Sequence, residues 1–288
     1  MTAYRRPGTI EEALALLREH GDEAHVLAGG TALTLLRKQG LIEGGVIVDL
    51  DAIRGLDTIS RLPQGGLTIG AMATLRRVET NPLVLAEVPA LAAVVGRVAT
   101  IRIRNQATLG GNLAHADPAQ DPPPILIVLD AQVEVAGTDG RRLEPVERLF
   151  VDVFETSLAA AELLVAVRVP RPSRTSRIGY EKFLPRTADD YATVAVAARL
   201  DLGDDGTVAD ARIALGGVAG TPLRVREAES LLRGTCLDDL PVDAVADAVR
   251  AGVDPVDDAR GSAGYKREMA GVWTARLIRR LSGLPVAA

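Results

Sequence analysis

Two short glycine pairs carry the strongest chemical signal in the sequence. Ala28-Gly29-Gly30-Thr31 follows His25 to Ala28, which reads as a buried strand, and precedes a helical run from Ala32 to Lys38. Thr108-Leu109-Gly110-Gly111-Asn112 follows the apolar segment Leu91 to Ile103 and leads into a polar loop carrying His115, Asp117 and Asp121. A glycine tolerates positive φ and has no Cβ to hold a ligand off the backbone. A strand, a Gly-rich turn and a helix start make an anion site, because unpaired N–H groups and the helix dipole point the same way. Asn112 adds an amide that both donates and accepts. Two such turns predict a cradle for the two phosphates of one dinucleotide, whereas either pair alone reads rather as a tight turn between elements. Gly-x-Gly-x-x-Gly is absent after a first strand, and Gly-x-x-x-x-Gly-Lys-Ser/Thr is absent throughout. These absences disfavour a nicotinamide-type doubly wound domain and a phosphate-loop ATPase.

The remaining chemistry-bearing residues are sparse. Cys236 is the single cysteine, which excludes an internal disulfide, an iron–sulfur cluster and a cysteine-built zinc site. It reads as a small buried apolar residue. His20, His25 and His115 share no metal-ligand spacing. No Ser-His-Asp or Cys-His set and no paired carboxylates stand out. Such a chain leaves its chemistry to a bound cofactor and supplies position and electrostatics.

The elements that must hold these residues follow from length and pattern. At 288 residues, two domains are the better expectation than one core. The chain is 47% apolar but only 3% aromatic, so its cores must be packed from Ala, Val, Leu and Ile. A net charge of −5 argues against a nucleic-acid face. No apolar run approaches the ~18–20 residues of a membrane span. Met1 to Pro7 has no apolar signal core behind its arginines, so a cytoplasmic protein is expected.

Thr9 and Glu12 form a capping-box pattern ahead of an apolar helical face of Ile10, Ala13, Leu14 and Leu17, which Gly21 ends. Val46 to Leu50 is a continuous apolar strand. These elements make a small α/β unit ending near residue 55. Beyond it come a strand at Leu67 to Ala71, a helix from Thr74, another opened by Asn81-Pro82, and the apolar Ala90 to Val98. Pro122-Pro123-Pro124 fixes the entry to Ile125 to Leu129. Gln132 to Ala136 with Thr138-Asp139-Gly140 predicts a hairpin, and Leu163 to Val169 a last strand before the linker around Pro170 and Pro172. Ile178 to Leu184, Thr193 to Leu202 and Val208 to Leu215 read as three strands, the last two joined by Gly203 to Gly206. Leu223 to Arg233, Val242 to Ala251 and Ser262 to Leu281 read as helices.

On the two quoted glycine motifs and their separation, the chain resembles the FAD-binding medium subunit of the molybdenum hydroxylases, the xanthine dehydrogenase and aerobic carbon monoxide dehydrogenase family. The resemblance runs from the Thr9 helix to the Gly261-Ser262-Ala263 helix. It implies an α+β chain. A two-part FAD-binding domain of the vanillyl-alcohol-oxidase type covers 1–172, with subdomains of about 1–55 and 56–172. A domain like the carbon monoxide dehydrogenase flavoprotein C-terminal domain, a three-stranded sheet plus a helix set, covers 173–288.

The resemblance also implies a non-covalent FAD site. Ala28, Gly29, Gly30, Thr31, Ala32 and Leu33 would form one contact, and Thr108, Gly110, Gly111 and Asn112 the other. Asp121 falls where an acid bonds the adenosine ribose, and Asp117 is a weaker candidate. His115 reaches the diphosphate or is simply exposed. Lys182 falls near the pyrimidine end of the flavin, or is a solvated strand-edge lysine, and Tyr191 covers one ring face. Val98 and Ala99 match residues lining the ring, and Leu163 and Leu164 match positions beside it, although all four also read as core. Molybdenum–pterin and [2Fe-2S] clusters would sit on partner chains, a large and a small subunit. Electrons would leave for NAD, a quinone or oxygen. Two other readings remain: a self-contained FAD oxidoreductase on the same scaffold, similar to the enolpyruvyl-glucosamine reductase, and a non-catalytic nucleotide-binding module.

Overall fold

A computed structural model describes residues 2–185 and 190–285. It begins with a parallel three-stranded sheet. Its strands are β1 (Ala3–Arg5), β2 (Ala24–Leu27) and β3 (Val46–Asp49), in the order β1-β3-β2. Helices α1 (Ile10–His20) and α2 (Thr31–Lys38) make the crossovers. Thr9 caps α1 by accepting from the Glu12 N–H at 3.1 Å, while the Glu12 carboxylate accepts from the Gly8 N–H at 2.7 Å. β1 was not expected from the sequence, because three residues are too short for a pattern. Its presence makes β3 central and β2 an edge. The stretch read as a buried strand is therefore half-open, with Val26 38% exposed.

The second unit is an antiparallel sheet in the order β4-β5-β10-β6-β7. It comprises β4 (Ile59–Arg61), β5 (Leu67–Gly70), β6 (Gln132–Gly137), β7 (Gly140–Pro145) and β10 (Leu163–Val169). Between β5 and β6 lie α3 (Leu75–Thr80), α4 (Pro82–Glu87), α5 (Pro89–Val95), α6 (Ile101–Arg104), α7 (Leu109–His115) and α8 (Pro122–Val128). Short α9 (Val146–Leu149) precedes the hairpin of β8 (Phe150–Asp152) and β9 (Glu155–Thr156). The three prolines form the first turn of α8, where missing N–H groups cost nothing. One apolar core runs through this unit. A smaller one joins the first sheet to it through Ala136, Leu163 and Val165.

The third unit is an antiparallel sheet of β11 (Ser176–Phe183), β12 (Val194–Leu202), β13 (Val208–Gly216) and β14 (Leu223–Arg224), in that order. It is followed by α10 (Arg226–Leu232), α11 (Val242–Gly252) and α12 (Ala263–Ser282). The expected three strands are thus four. Leu223 and Arg224, read as the start of a helix, pair with Leu215 and Ala214, and the helix begins two residues later. β12 alternates between two cores. Val194, Val196, Ala198 and Leu200 face α10–α12, whereas Ala195 and Ala197, with Ala214 of β13, join the core of the second unit. Those alanines let the sheet approach the second unit closely. Cys236 is exposed, not buried as its type suggested, because it follows α10 at the rim of this unit. Among the described residues, no helix is long and apolar enough to cross a membrane.

Candidate functional site

The two glycine motifs meet in space. Gly29 packs so tightly on the Gln106 carbonyl and Ala107 that a Cβ there would overlap backbone. A Cβ on Gly111 would lie 3.2 Å from the Ala28 Cβ. The two motifs have different local structures, however. After β2 the chain turns through Gly30 at φ 73°, and Thr34 is the first residue of α2 whose N–H reaches a carbonyl, that of Gly30, at 3.1 Å. The five preceding N–H groups, Gly29, Gly30, Thr31, Ala32 and Leu33, have no acceptor among the described residues. They make a row of donors at a helix N-terminus, which suits an anion.

Gly110 and Gly111 are not a turn, and neither has positive φ. They form the first turn of α7, with Thr108 as N-cap accepting from the Gly111 N–H at 3.1 Å. Leu109 and Gly110 donate to the carbonyls of Ala73 and Ala71, each at 2.9 Å. Thus the second motif offers no free first-turn N–H. It needs glycine because a Cβ on Gly110 would sit 2.5 Å from the Ala71 Cβ. What this motif presents is Asn112, whose buried Oδ1 has no partner among the described residues. The buried Oε1 of Gln120, on the loop after α7, is likewise unpaired. Buried polar atoms are nearly always satisfied, so these two orphans mark where a ligand would complete the structure.

Asp121 and Lys182 come together in a second cluster. The Lys182 Nζ donates to Asp121 Oδ2 at 2.8 Å and to the Arg97 carbonyl at 3.0 Å, and the Tyr180 hydroxyl donates to Asp121 Oδ1 at 2.5 Å. The side chains of the ion pair are 2% and 4% exposed. Burial pushes the Asp121 carboxyl up despite the lowering influence of Lys182 and Tyr180. The Tyr180 phenol, buried beside that carboxylate, is also pushed up and stays a donor. Arg97 lies over the Tyr180 ring, 5.5 Å from its centroid. Asp121 thus meets Tyr180 and Lys182 inside the protein, one through each of its oxygens. Lys182 is not the solvated edge lysine of the alternative reading.

Tyr180, Arg97 and Arg104 escaped sequence reasoning. Tyr180 and Lys182 are two apart on one strand and so share a face, a period-2 signal that could have linked them. Arg104 Nη1 donates to the carbonyls of both Val98 and Ala99, each at 2.9 Å, and Ala99 is held at φ 41°, unusual for a residue with a Cβ. The chain from Ala99 through α6 to Gln106 thus runs from this cluster to the glycine cradle.

The other expected residues divide. The Leu163 and Leu164 side chains are buried in different cores, leaving only their backbone for any other contact. Near them β10 bulges, and the Val165 carbonyl accepts from Ala71, tying the strand to the support of α7. Asp117 accepts from the Ala119 N–H at 2.9 Å and shapes the loop. His115 packs on Phe154, ring centroids 5.1 Å apart, and burial lowers its pKa. Tyr191 is 40% exposed with Arg260 over its ring. Arg186 to Asp189, within the segment from Lys182 to Tyr191, lie outside the described residues.

A donor row, an orphaned amide and a buried charge pair make up the candidate site. Residues 1–172 match the family model of the FAD-binding domain in molybdopterin dehydrogenase, and residues 180–281 that of the CO dehydrogenase flavoprotein C-terminal domain. The chain belongs to the FAD-binding medium subunits of the molybdenum hydroxylases, and is a subunit of an oxidoreductase with FAD as its cofactor. It is 35% identical over 275 residues to the carbon monoxide dehydrogenase medium chain of Hydrogenophaga pseudoflava, covering 96% of this chain and 95% of that one. With the 6-hydroxypseudooxynicotine dehydrogenase complex subunit alpha of Paenarthrobacter nicotinovorans it shares 34% over 261 residues, 91% of this chain and 88% of the relative. The fold matches the carbon monoxide dehydrogenase structure from Hydrogenophaga pseudoflava with a TM-score of 0.92 at 36% identity, over 96% of this chain and 95% of that one. It also matches quinoline 2-oxidoreductase from Pseudomonas putida 86, with a TM-score of 0.91 at 31% identity, over 98% and 97%.

Proposed function

We propose that this chain is the electron-transfer subunit of a molybdenum hydroxylase complex, receiving electrons from [2Fe-2S] clusters on a small partner chain and delivering them to NAD, a quinone or oxygen. The molybdenum–pterin group belongs, in this reading, to a large partner chain, and the complex is cytoplasmic. The FAD-binding part is of the vanillyl-alcohol-oxidase type and occupies 1–172, with 173–288 as the second domain. The spans of the two family matches and the change of sheet between β10 and β11 support that division.

The observation that carries the reading is the row of unpaired N–H groups from Gly29 to Leu33, closed on one side by α7 and its orphaned Asn112 Oδ1. These donors fit a diphosphate, and each hydrogen bond to a charged group is worth ~1.5–3 kcal/mol. Asp121, Lys182, Val98 and Ala99 lie at the other end of the α6 segment, where the flavin ring would be placed. When bound, the flavin supplies exchange between two-electron and one-electron carriers. The protein's own residues position it. Lys182 offers a fixed cation, Asp121 and Tyr180 hold that cation in place, and Arg104 fixes the Val98–Ala99 backbone.

The test uses purified chain titrated with FAD, then mixed with the reduced iron–sulfur partner. Stoichiometric uptake, release of all yellow colour on acid precipitation, and bleaching of the flavin by the reduced partner are expected. Flavin that is bound but never bleached by that partner contradicts the electron-transfer role and favours a non-catalytic module. Flavin bleached by a purine or aldehyde in the isolated chain favours the self-contained oxidoreductase.

A further inference from the structure

Between α5 and α6, three successive carbonyls are each held by a cation. Lys182 Nζ donates to the Arg97 carbonyl at 3.0 Å, and Arg104 Nη1 donates to those of Val98 and Ala99 at 2.9 Å each. Arg104 is itself pinned. Its Nε donates to Glu79 Oε2 at 3.1 Å, and Glu79 Oε1 pairs with Arg76 at 3.0 Å. The Arg104 side chain is 12% exposed and that of Glu79 20%. Gly96 makes room for this carboxylate, since a Cβ there would come within 3.2 Å of Glu79 Oε1. Burial raises the Glu79 pKa, but the hydrogen bonds from Arg76 and Arg104 outweigh it and hold the group below the ordinary carboxylate value.

We propose, on the reading that the flavin ring lies at Val98 and Ala99, that Glu79 and Arg104 are positioning residues for it. They hold Ala99 in a conformation it would not keep alone, so that its backbone meets the ring. Ala99 sits at φ 41°, which disfavours a residue with a Cβ and suits glycine. Such a residue persists only where its surroundings over-determine it, and here Arg104 does so through the carbonyls on both sides of the strained Cα. The planar peptide then sets the direction of the neighbouring donors, because the N–H and C=O of one trans unit point opposite ways. With the Val98 and Ala99 carbonyls turned to Arg104, the Ala99 and Thr100 N–H groups face away from it. Neither has an acceptor among the described residues. Fixed donors at a flavin ring are one means by which a protein tunes its electronics. Anchored at Nε, the planar fork of Arg104 reaches both carbonyls with one nitrogen, and that geometry makes Glu79 part of the device.

The experiment measures FAD affinity and the flavin midpoint potential in the full-length chain. Glu79→Ala should weaken FAD binding roughly tenfold. It should also lower the potential of the flavin that still binds, because donors favouring the electron-rich reduced ring are lost. Glu79→Gln, which keeps the packing, should shift both in the same direction by less. Adding Ala99→Gly to Glu79→Ala should recover most of both losses, since glycine adopts the left-handed conformation without a clamp. Glu87→Gln is the matched control. Glu87 ends α4, bridges Arg61 and Arg171 and is 10% exposed, so its replacement disturbs a similar ion-pair set and should leave both readings unchanged. Wild-type affinity and potential in folded Glu79→Ala and Glu79→Gln overturn the proposal while leaving the flavin placement intact. Weakened binding that Ala99→Gly does not recover, with the potential of the bound flavin unchanged, also overturns it and reduces Glu79 to a structural ion pair. Wild-type chain that takes up no FAD contradicts the site itself, and the proposal with it.

Discussion

Two lysine–aspartate pairs in this molecule have nearly the same chemistry and opposite electrostatics. Lys182 and Asp121 meet at 2.8 Å between two units, and Lys266 and Asp258 meet at 2.9 Å within the third. Both lysines are buried. The Asp258 side chain, however, is 27% exposed and also pairs with Arg260, whereas that of Asp121 is 4% exposed. For Asp258, burial would raise the pKa, but Lys266 and Arg260 together hold it down at about 2. For Asp121 burial wins and the carboxyl is pushed up. Exposure of the carboxylate thus goes with a lowered pKa and its burial with a raised one. The fully buried pair sits at the candidate cofactor site, where perturbed groups concentrate.

The largest expected effect separates the pairs directly. Lys182→Ala leaves Asp121 buried without its cation and should cost about 3–5 kcal/mol in denaturant unfolding. Lys266→Ala should cost less, because Asp258 keeps Arg260 and solvent. The double replacement Lys182→Met with Asp121→Asn should recover much of the loss, since no uncompensated charge is left. Equal costs for the two lysines would erase the distinction.

A smaller effect tests the glycine cradle against the charged cluster. Gly29→Ala forces a Cβ into the Gln106 carbonyl and should cost about 1–3 kcal/mol together with FAD affinity. Gly111→Ala should be milder. Its Cβ would meet the Thr108 hydroxyl at 2.8 Å, and loss of that cap costs about 0.5–2 kcal/mol. Positive φ contributes nothing at Gly111, so the order of the two variants distinguishes backbone overlap from a displaced cap.

The third effect is a matter of sign. Asp258 has its pKa depressed from the ordinary 3.8, so its stabilisation is complete above that value and is lost as pH falls toward about 2. Asp258→Asn should remove on the order of 1–2 kcal/mol from the acid limb of the stability curve. Asp121 works the other way. It binds a proton more readily folded than unfolded, so its ionisation weakens the fold as pH rises through the carboxylate range. Unfolding curves across pH for wild type and Asp258→Asn check the first half. A steeper acid limb in the variant would reverse the assignment.

Legibility in the sequence followed chain distance. The glycine motifs could be read because each is local, and the periodicity of the long elements placed most strands and helices. What failed was set by partners far along the chain. Asp121 finds Tyr180 and Lys182, 59 and 61 residues on, and nothing at Asp121 itself announces them. Gly110 and Gly111 look like a turn because glycine is a poor helix former. The Thr108 cap and the carbonyls of Ala71 and Ala73 make them a helix instead. β1 and β14 exist only because a neighbouring strand offers an edge, and two or three residues carry no period.

The most direct test of the site is residue-resolved amide hydrogen exchange of the chain with and without FAD. Gly29 to Leu33, whose N–H groups have no acceptor among the described residues, should exchange fast alone and become strongly protected when FAD binds. Leu109, Gly110 and Gly111, already bonded to Ala73, Ala71 and Thr108, should change little. FAD binding that leaves Gly29 to Leu33 unprotected would contradict the placement of the diphosphate on this helix.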